Sequence, residues 1–318
     1  MNILFTSAGR RVKLIHFLQE TLAGNGRVVA VDCDQNAPAL YAADDHLLVP
    51  PIDDPDYLDK LLEICSRFEV GAVLSLIDPE LSLLSRHRER FADTGIHLVV
   101  SAPDVIDICL DKQATYTFLT AHGLPAVPTR ASLEETREAL EKEEFSFPLL
   151  LKPRKGSASQ GIMIVKTYQA LEEAMRPEHD LVAQPFLEME EYGVDAYVDL
   201  ITQKPISIFT KKKLRMRAGE TDRSLAIKDL QFTSLIEQLL HVLKPVGPID
   251  IDCFKVGDNY LISEINPRFG GGYPHAYLCG QNFFRFLLNN LQGQSNDPEL
   301  GRYQAGSTML KFDEVRIV

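Results

Sequence analysis

The sequence has few of the features that a disulfide-bonded, membrane-spanning or zinc-stabilised protein needs. Its 318 residues include no tryptophan and only five cysteines, which form no CxxC pair and no spacing typical of a zinc site. No apolar stretch reaches the roughly 20 residues of a membrane span, and no secretory hydrophobic region follows Met1. We therefore expect a cytoplasmic protein with reduced thiols and no membrane partner.

Basic residues are also in short supply. Lysine and arginine number 33 against 45 acidic residues, so the formal net charge is −12. This balance argues against a nucleic-acid partner, and an anionic substrate would need a local basic pocket. The first strand is followed by a single glycine, Gly9, where a Rossmann dehydrogenase shows G-x-G-x-x-G. The sequence therefore gives little support to a dinucleotide-dependent oxidoreductase.

The first part of the chain alternates strand and helix patterns, which is typical of βαβ units around a parallel sheet. Strands are predicted at Ile3–Thr6 and Gly71–Leu76, and a helix at Pro79–Phe91. The pattern breaks around 101–111. An α/β fold that begins with a Rossmann-like parallel-sheet domain is the expectation.

The rest of the chain differs in its pattern. A smaller mixed α+β segment is followed, from about 191 onward, by longer strands that are predicted to be antiparallel. Helices at Leu230–Leu243 and Phe283–Leu291 are expected to cover that sheet, and Ser307–Val318 to form its closing strand.

The most informative segment is a pair of acidic strands, PIDIDCF and LISEINPR, with a Gly-Asp-Asn turn signal between them. With the turn centred on Asp258, Asp252 faces Glu264 across the hairpin. In the same register Asp250 faces Asn266, and all four side chains share one face. Opposed carboxylates repel, and a hard cation such as Mg²⁺ removes that cost. The alternative is a solvated polar face on an edge hairpin.

A second signal is the segment LLLKPRKGSASQGIMIV, an apolar strand that ends in Lys152 and leads into a Gly/Ser loop. Glycine permits close backbone approach, and successive N–H groups with serine hydroxyls can hold phosphate oxygens. Lys152 would add a point charge to the same phosphates. The order differs from that of a GxxxxGK[ST] loop. The alternative is a flexible hairpin without a ligand.

A third, weaker signal is the strand VAQPFL, with two glutamates just beyond it. The backbone at the end of this strand is predicted to contact an adenine edge, where Gln184 accepts from the amino group. Glu190 or Glu191 would then bind ribose hydroxyls. A strand that simply leaves the core explains the pattern equally well.

In this order the three signals resemble the ATP-grasp superfamily. They are most similar to one synthetase half of the carbamoyl phosphate synthetase large subunit, and to small related ligases such as the pyrrolysine-biosynthesis ligase. The resemblance implies a pre-ATP-grasp domain over 1–110, an ATP-grasp lid subdomain over 111–190 and a C-terminal ATP-grasp subdomain over 191–318.

The resemblance also assigns roles by position. Its nucleotide-binding residues are Lys112, Lys152, Ser157, Ser159, Gly161, Gln184, Phe186, Leu187 and Glu191, with Glu190 as a near-equal candidate for the last. Asp252, Glu264 and Asn266 match metal ligands, although the synthetase carries Gln at the first of these positions. Arg268 matches the arginine that faces the transferred phosphoryl group, and Lys152 joins it as a catalytic residue.

Two further clusters are candidates. Arg215 and Arg217 alternate with apolar residues and are predicted to share a face that binds ATP phosphate or an acyl phosphate; a solvated strand edge is the alternative. Gly9 and Arg10 lie where strand one meets helix one, which favours anions. With Asp78 they are expected to hold the acceptor substrate, and helix capping or surface charge is the alternative.

The resemblance implies an ATP- and Mg²⁺-dependent carboxylate–amine (or thiol) ligase that acts through an acyl phosphate, with Mn²⁺ as a second candidate ion. Its partners would be a small carboxylate and a small amine, and a homodimer is left open. A large subunit has two such halves and this sequence has one, so carbamoyl phosphate synthesis by this chain alone is doubtful. A nucleotide-binding subunit of a larger synthetase complex remains the alternative.

Overall fold

The computed structural model of the chain describes residues 1–156, 161–186 and 189–318. These residues form sheets of five, three and six strands, with helices packed against them. The expected α/β class is therefore confirmed. Within these ranges, no helix combines the length and the apolar character that crossing a lipid bilayer requires.

The N-terminal sheet is parallel throughout. Its strands are β1 (Asn2–Thr6), β2 (Val28–Asp32), β3 (Asp45–Leu48), β4 (Val70–Ser75) and β5 (His97–Leu98), and its helices are α1 (Val12–Leu22), α2 (Tyr57–Arg67), α3 (Asp78–Arg86), α4 (Arg88–Ala92) and α5 (Pro103–Leu110). The strand order is β3-β2-β1-β4-β5. Ile3 packs with α1 on one face and Leu4 packs with α2 on the other. The order reverses between β1 and β4, so the loops after these strands border a crevice.

The middle segment forms a small antiparallel sheet of order β7-β6-β8. Its elements are α6 (Lys112–Ala121), α7 (Leu133–Glu141), β6 (Leu149–Pro153), β7 (Met163–Val165), α8 (Tyr168–Ala174) and β8 (Leu181–Pro185). Asp111 is the N-cap of α6, and its carboxylate accepts from the backbone N–H groups of Gln113 and Ala114. This cap fixes Lys112 in the first turn.

The largest sheet is antiparallel, in the order β13-β12-β9-β10-β11-β14. Its elements are β9 (Glu190–Val198), β10 (Pro205–Arg217), β11 (Glu220–Ile227), α9 (Leu230–Leu243), β12 (Gly247–Val256), β13 (Asn259–Asn266), α10 (Tyr273–Leu278), α11 (Phe283–Leu291) and β14 (Thr308–Leu310). Ile249 and Ile251 of β12 pack in one core with the apolar stripe of α9. Because strand side chains alternate, Asp250 and Asp252 face away from α9.

Three sequence-based expectations need correction. The break predicted around 101–111 contains helix α5, whose Val105 and Cys109 are buried one helical turn apart. The helix predicted at Pro79–Phe91 is divided at His87. The closing strand is limited to Thr308–Leu310, because only these residues pair with β11.

Candidate functional site

A cleft of about 660 Å³ opens on the face of the large sheet that points away from α9. Predicted site residues that line it are Lys112, Lys152, Gln184, Phe186, Glu191, Asp252, Glu264, Asn266 and Arg268. The hairpin β12–β13 forms its floor, the small sheet forms one wall, and the glycine loop that precedes α10 closes one end. Residues from three segments, widely separated in sequence, therefore meet at one site.

The hairpin has the two pairs expected from the sequence, Asp250 with Asn266 and Asp252 with Glu264. These pairs form for a different reason than expected. Val256 pairs with Asn259, so the turn is centred between Gly257 and Asp258 and not on Asp258. A register shift after Asp252 compensates and leaves Ser263 without a partner on β12. The bulge places the hydroxyl-bearing Ser263 in the cleft beside the acidic pairs.

The acidic face of the hairpin is electrostatically costly. Burial, with a further contribution from Asp252, raises the pKa of Asp250 to about 7. Burial also raises the pKa of Glu264, against the opposing charge of Lys112. No hydrogen bond to the Glu264 carboxylate is found among the described residues, so its charge is balanced only by more distant cations.

Two lysines supply positive charge to this face. Lys152, at the end of β6, is buried, and burial lowers its pKa although the nearby Glu264 opposes the shift. The ammonium of Lys112 donates to the carbonyl oxygen of Gly156 at 2.8 Å. Both lysines act on Glu264 and on each other, so they belong to one charged cluster.

Arg268 joins the hairpin to the N-terminal crevice. Its Nη2 donates to Oδ2 of Asp78 at 2.7 Å, and both side chains are about nine-tenths buried. Its Nε and the second oxygen of Asp78 are buried and have no hydrogen-bond partner among the described residues. Polar groups of this kind are costly unless a ligand or water binds them.

The other end of the cleft is more apolar. Val127, Leu150, Phe186 and Phe254 line it, with Gln184 at its edge. The Gln184 Nε2 atom donates to Thr129 Oγ1 at 2.8 Å, which fixes the orientation of the amide. A flat heterocycle fits such a slot, with a side-chain carbonyl left to accept a hydrogen bond.

Gly161 is described but does not line the cleft; it has a φ of +69° and packs beside Pro153. Ser157, Ser159 and Leu187 lie outside the described residues. Their predicted roles stay predictions.

The two glutamates at the start of β9 face opposite sides. Glu191 lines the cleft, and its Oε1 lies 2.7 Å from Nζ of Lys213. Glu190 is exposed, pairs with Lys212 and accepts from the Tyr192 hydroxyl at 2.8 Å. Glu191 is therefore the glutamate that a ligand in the cleft would meet.

The structure does not place Arg215 and Arg217 in the cleft. Register shifts around Arg215 interrupt the alternation of β10, and Met216 faces the cleft instead. Arg217 pairs with Asp222 at 2.9 Å and with Asp313 at 2.8 Å. The bulge thus turns these arginines away from the cleft, which corrects the sequence-based interpretation.

Gly9 and Arg10 also lie outside the cleft lining. The Gly9 N–H donates to Oδ2 of Asp32 at 2.7 Å, which uses the group expected to bind an anion. Arg10 is half-exposed and pairs with Glu220, whereas the next residue, Arg11, lines the cleft and contacts the same glutamate at 2.9 Å. The arginine that lines the cleft at this point is Arg11, one position after the predicted Arg10.

Sequence reasoning missed Lys213, Glu220 and Ser263, all of which line the cleft. The basic run KKKLRMR at 211–217 was the available signal for Lys213, because side chains alternate along β10 and the odd-numbered lysines are the buried ones. Glu220 and Ser263 carried no signal, since their placement depends on the β10–β11 hairpin and on a bulge.

The donor set can be tested for a metal. Within the described ranges, no group of three or more His, Cys, Asp or Glu side chains is placed to hold an ion. The hairpin offers two carboxylates and an amide instead: Asp252, Glu264 and Asn266 share one face. Oxygens from two partly buried carboxylates and a buried amide fit a hard cation such as Mg²⁺.

Comparison with known proteins gives two family matches. Residues 109–272 match the family described as ATP-grasp domain, and residues 3–99 match the family described as PylC-like, N-terminal domain. Carbamoyl phosphate synthase large chain of Mycobacterium tuberculosis is 31% identical over 193 residues, which are 56% of this chain and 17% of that protein. This chain therefore spans only a small part of that relative's length.

Solved structures show a similar fold. The biotin carboxylase domain dimer of Hydrogenobacter thermophilus 2-oxoglutarate carboxylase, in complex with MgADP, ADP and bicarbonate, has a TM-score of 0.76 at 15% identity, covering 96% of this chain and 73% of that one. N5-carboxyaminoimidazole synthetase of Staphylococcus aureus has a TM-score of 0.71 at 16% identity, covering 94% and 78%. At such identities the likeness concerns the fold alone.

Proposed function

The chain belongs to the ATP-grasp family of ATP-dependent ligases, and from that membership we propose that it joins a small carboxylate to an amine or a thiol, using Mg²⁺ and ATP. The γ-phosphoryl group is transferred to the carboxylate, and the nucleophile then displaces phosphate from the acyl phosphate. Such a reaction depends on positioning and charge neutralisation more than on a covalent protein nucleophile.

The cleft supports an assignment of the nucleotide along its length. Adenine lies in the apolar slot beside Gln184 and Phe186, and ribose hydroxyls donate to Glu191. Lys112 and Lys152 neutralise the phosphate oxygens. Gly161, Ser157, Ser159 and Leu187 keep their predicted nucleotide contacts as part of this proposal.

Asp252, Glu264 and Asn266 would hold Mg²⁺, with Mn²⁺ as the second candidate. When bound, the ion supplies charge neutralisation at the phosphates. Arg268 then faces the phosphoryl group being transferred, and Asp78 holds its guanidinium in place. The acceptor carboxylate would lie between Arg268 and Arg11, which both line the end of the cleft.

The observation that carries this proposal is the meeting of Glu264 with Lys112 and Lys152 across the cleft. A partly buried carboxylate that lines the same cleft as two buried lysines is the arrangement that a metal-bound polyphosphate completes. The three-part division at 110 and 190, a cytoplasmic location and a homodimer complete the proposal. The homodimer is proposed because the biotin carboxylase domain of similar fold is a dimer.

The test is ADP release from Mg·ATP in the presence of pooled carboxylic acids and amines, with each pool omitted in turn. We expect ADP only with a carboxylate, and hydroxylamine should trap the acyl group. Lys152→Met should lower ADP release about 100-fold, whereas Lys142→Met, at an exposed lysine of the same segment, should not. Nucleotide binding without ADP release from any pool would favour a non-catalytic subunit of a larger complex. Binding of NADH instead of ATP would favour the oxidoreductase.

A further inference from the structure

Lys213 occupies a position between two carboxylates of the cleft. Its Nζ lies 2.7 Å from Glu191 Oε1 and 2.7 Å from Asp252 Oδ1, and its side chain is 4% exposed. In the proposed function these carboxylates serve different parts of the bound nucleotide complex, the ribose and the metal. One ammonium group therefore touches both subsites.

The sheet is built so that Lys213 can reach this position. It belongs to β10, whereas Asp252 belongs to β12, and β9 lies between them. Gly193 stands on β9 directly opposite Asp252. A Cβ at Gly193 would lie 3.1 Å from Cε of Lys213, which is a tight contact, so the missing side chain leaves the path across β9 open.

The charge of Lys213 matters for any cation at the hairpin. A divalent ion on Asp252 would share that carboxylate with the ammonium, and the two positive charges would repel in a poorly solvated site. A nucleotide changes this balance, because its phosphates bring negative charge to the same place. Its ribose hydroxyls would also give Glu191 a second partner.

On the basis of the function proposed above, we propose that Lys213 is a positioning residue that keeps a bare divalent cation off Asp252 and admits the metal together with the nucleotide. Lys213 thereby orders the two ligands, and it holds Glu191 and Asp252 in the geometry that the nucleotide complex needs. This role predicts effects of opposite sign on the two ligands when the ammonium is removed.

The experiment compares Lys213→Met with Lys212→Met, the neighbour that pairs with Glu190 outside the cleft. Free Mn²⁺ binding without nucleotide is measured by electron paramagnetic resonance, and binding of a fluorescent ATP analogue is measured with Mg²⁺ present. Lys213→Met should bind free Mn²⁺ about tenfold more tightly and the nucleotide about tenfold more weakly. Lys212→Met should change neither affinity.

Lys213→Arg and Lys213→Gln separate charge from packing. The arginine variant should keep the weak Mn²⁺ binding of the wild type. The glutamine variant should give the same affinities as the methionine variant, and it takes the place of Lys213→Met if that variant does not fold. Unchanged Mn²⁺ affinity, a parallel weakening of both ligands, or tight Mn²⁺ binding by the arginine variant would overturn the inference. A wild type that binds no nucleotide would instead refute the proposed function, while the Mn²⁺ titrations would still report on Lys213.

Discussion

Two glutamates, one fully buried under the N-terminal crevice and one partly buried in the cleft, show how differently the same side chain can be accommodated. Glu80 is fully buried and accepts hydrogen bonds from Tyr57, Ser75 and Ser7, at 2.5, 2.7 and 2.8 Å. Glu264 accepts none from the described residues, and burial raises its pKa. The protein itself satisfies the first carboxylate, whereas in the proposed function a ligand satisfies the second.

This difference predicts opposite consequences for stability and activity. A hydrogen-bonded buried carboxylate contributes to folding, because its donors would otherwise be unpaired. A desolvated carboxylate with a raised pKa opposes folding whenever it is charged. Substitutions that remove one charge at each position therefore test the comparison directly.

The largest effect is expected for Glu264→Gln. ADP release with Mg·ATP should fall about 100-fold, because one charged oxygen ligand is lost. The free energy of unfolding at pH 8 should stay the same or rise, since the ionised group is the unfavourable form in the folded state. Its folded pKa is raised, so its destabilising effect grows as pH rises above the ordinary 4.5. Steady-state kinetics and urea unfolding measure the two quantities.

Two outcomes would contradict the interpretation of Glu264 as a carboxylate without structural partners. Turnover equal to that of the wild type would remove Glu264 from the proposed metal site. A large loss of stability would show that the carboxylate has structural partners, as Glu80 does. Glu63→Gln, at an exposed glutamate of α2, is the control for the substitution itself.

Asp199 is a second buried carboxylate whose hydrogen bonds come from the protein itself, so it extends the comparison made with Glu80. Burial alone would raise its pKa, but hydrogen bonds from Asn290, Thr202 and Asn296 outweigh burial and lower it to about 2. Asp199→Asn should lower the free energy of unfolding by about 2 kcal/mol at pH 7, because a donor would replace an acceptor.

The pH dependence of this effect has a definite sign. The folded pKa of Asp199 lies below its ordinary 3.8, so its stabilising contribution is present above that value and is lost as pH falls towards about 2. The difference in unfolding free energy between wild type and Asp199→Asn should therefore narrow over that window. A constant difference across it would contradict the assignment, and the exposed Asp297→Asn serves as the control.

Local patterns were enough to predict much of the fold. Helices α9 and α11 have the predicted bounds because Asp229 and Asn282 cap them directly before an apolar stripe. Strand β11 was missed because its buried residues include Thr221 and Ser224, which hide the apolar alternation. Burial of polar residues in a sheet depends on partners that lie far away in sequence.

The same limit applies to the site. The pairing of Asp252 with Glu264 agrees with the prediction, but it depends on a register shift after Asp252 that offsets the wrongly placed turn centre, and the residue spacing does not indicate that shift. The placement of Lys213 depends on the register of three strands and on a glycine in the middle one. The bulge near Arg215 reverses which side chains face the cleft. Neither feature can be derived from the spacing of residues along one strand.

The smallest effect is expected for Glu80→Gln. Its three partners are hydroxyls of Tyr57, Ser75 and Ser7, which can rotate to accept from an amide as well as donate to a carbonyl. The free energy of unfolding should therefore fall by only about 1 kcal/mol, and ADP release by the folded enzyme should change much less than in Glu264→Gln. Urea unfolding and turnover at matched folded fractions measure both. A 100-fold loss of turnover with unchanged stability would place Glu80 among the functional carboxylates and would end the distinction between the two sites.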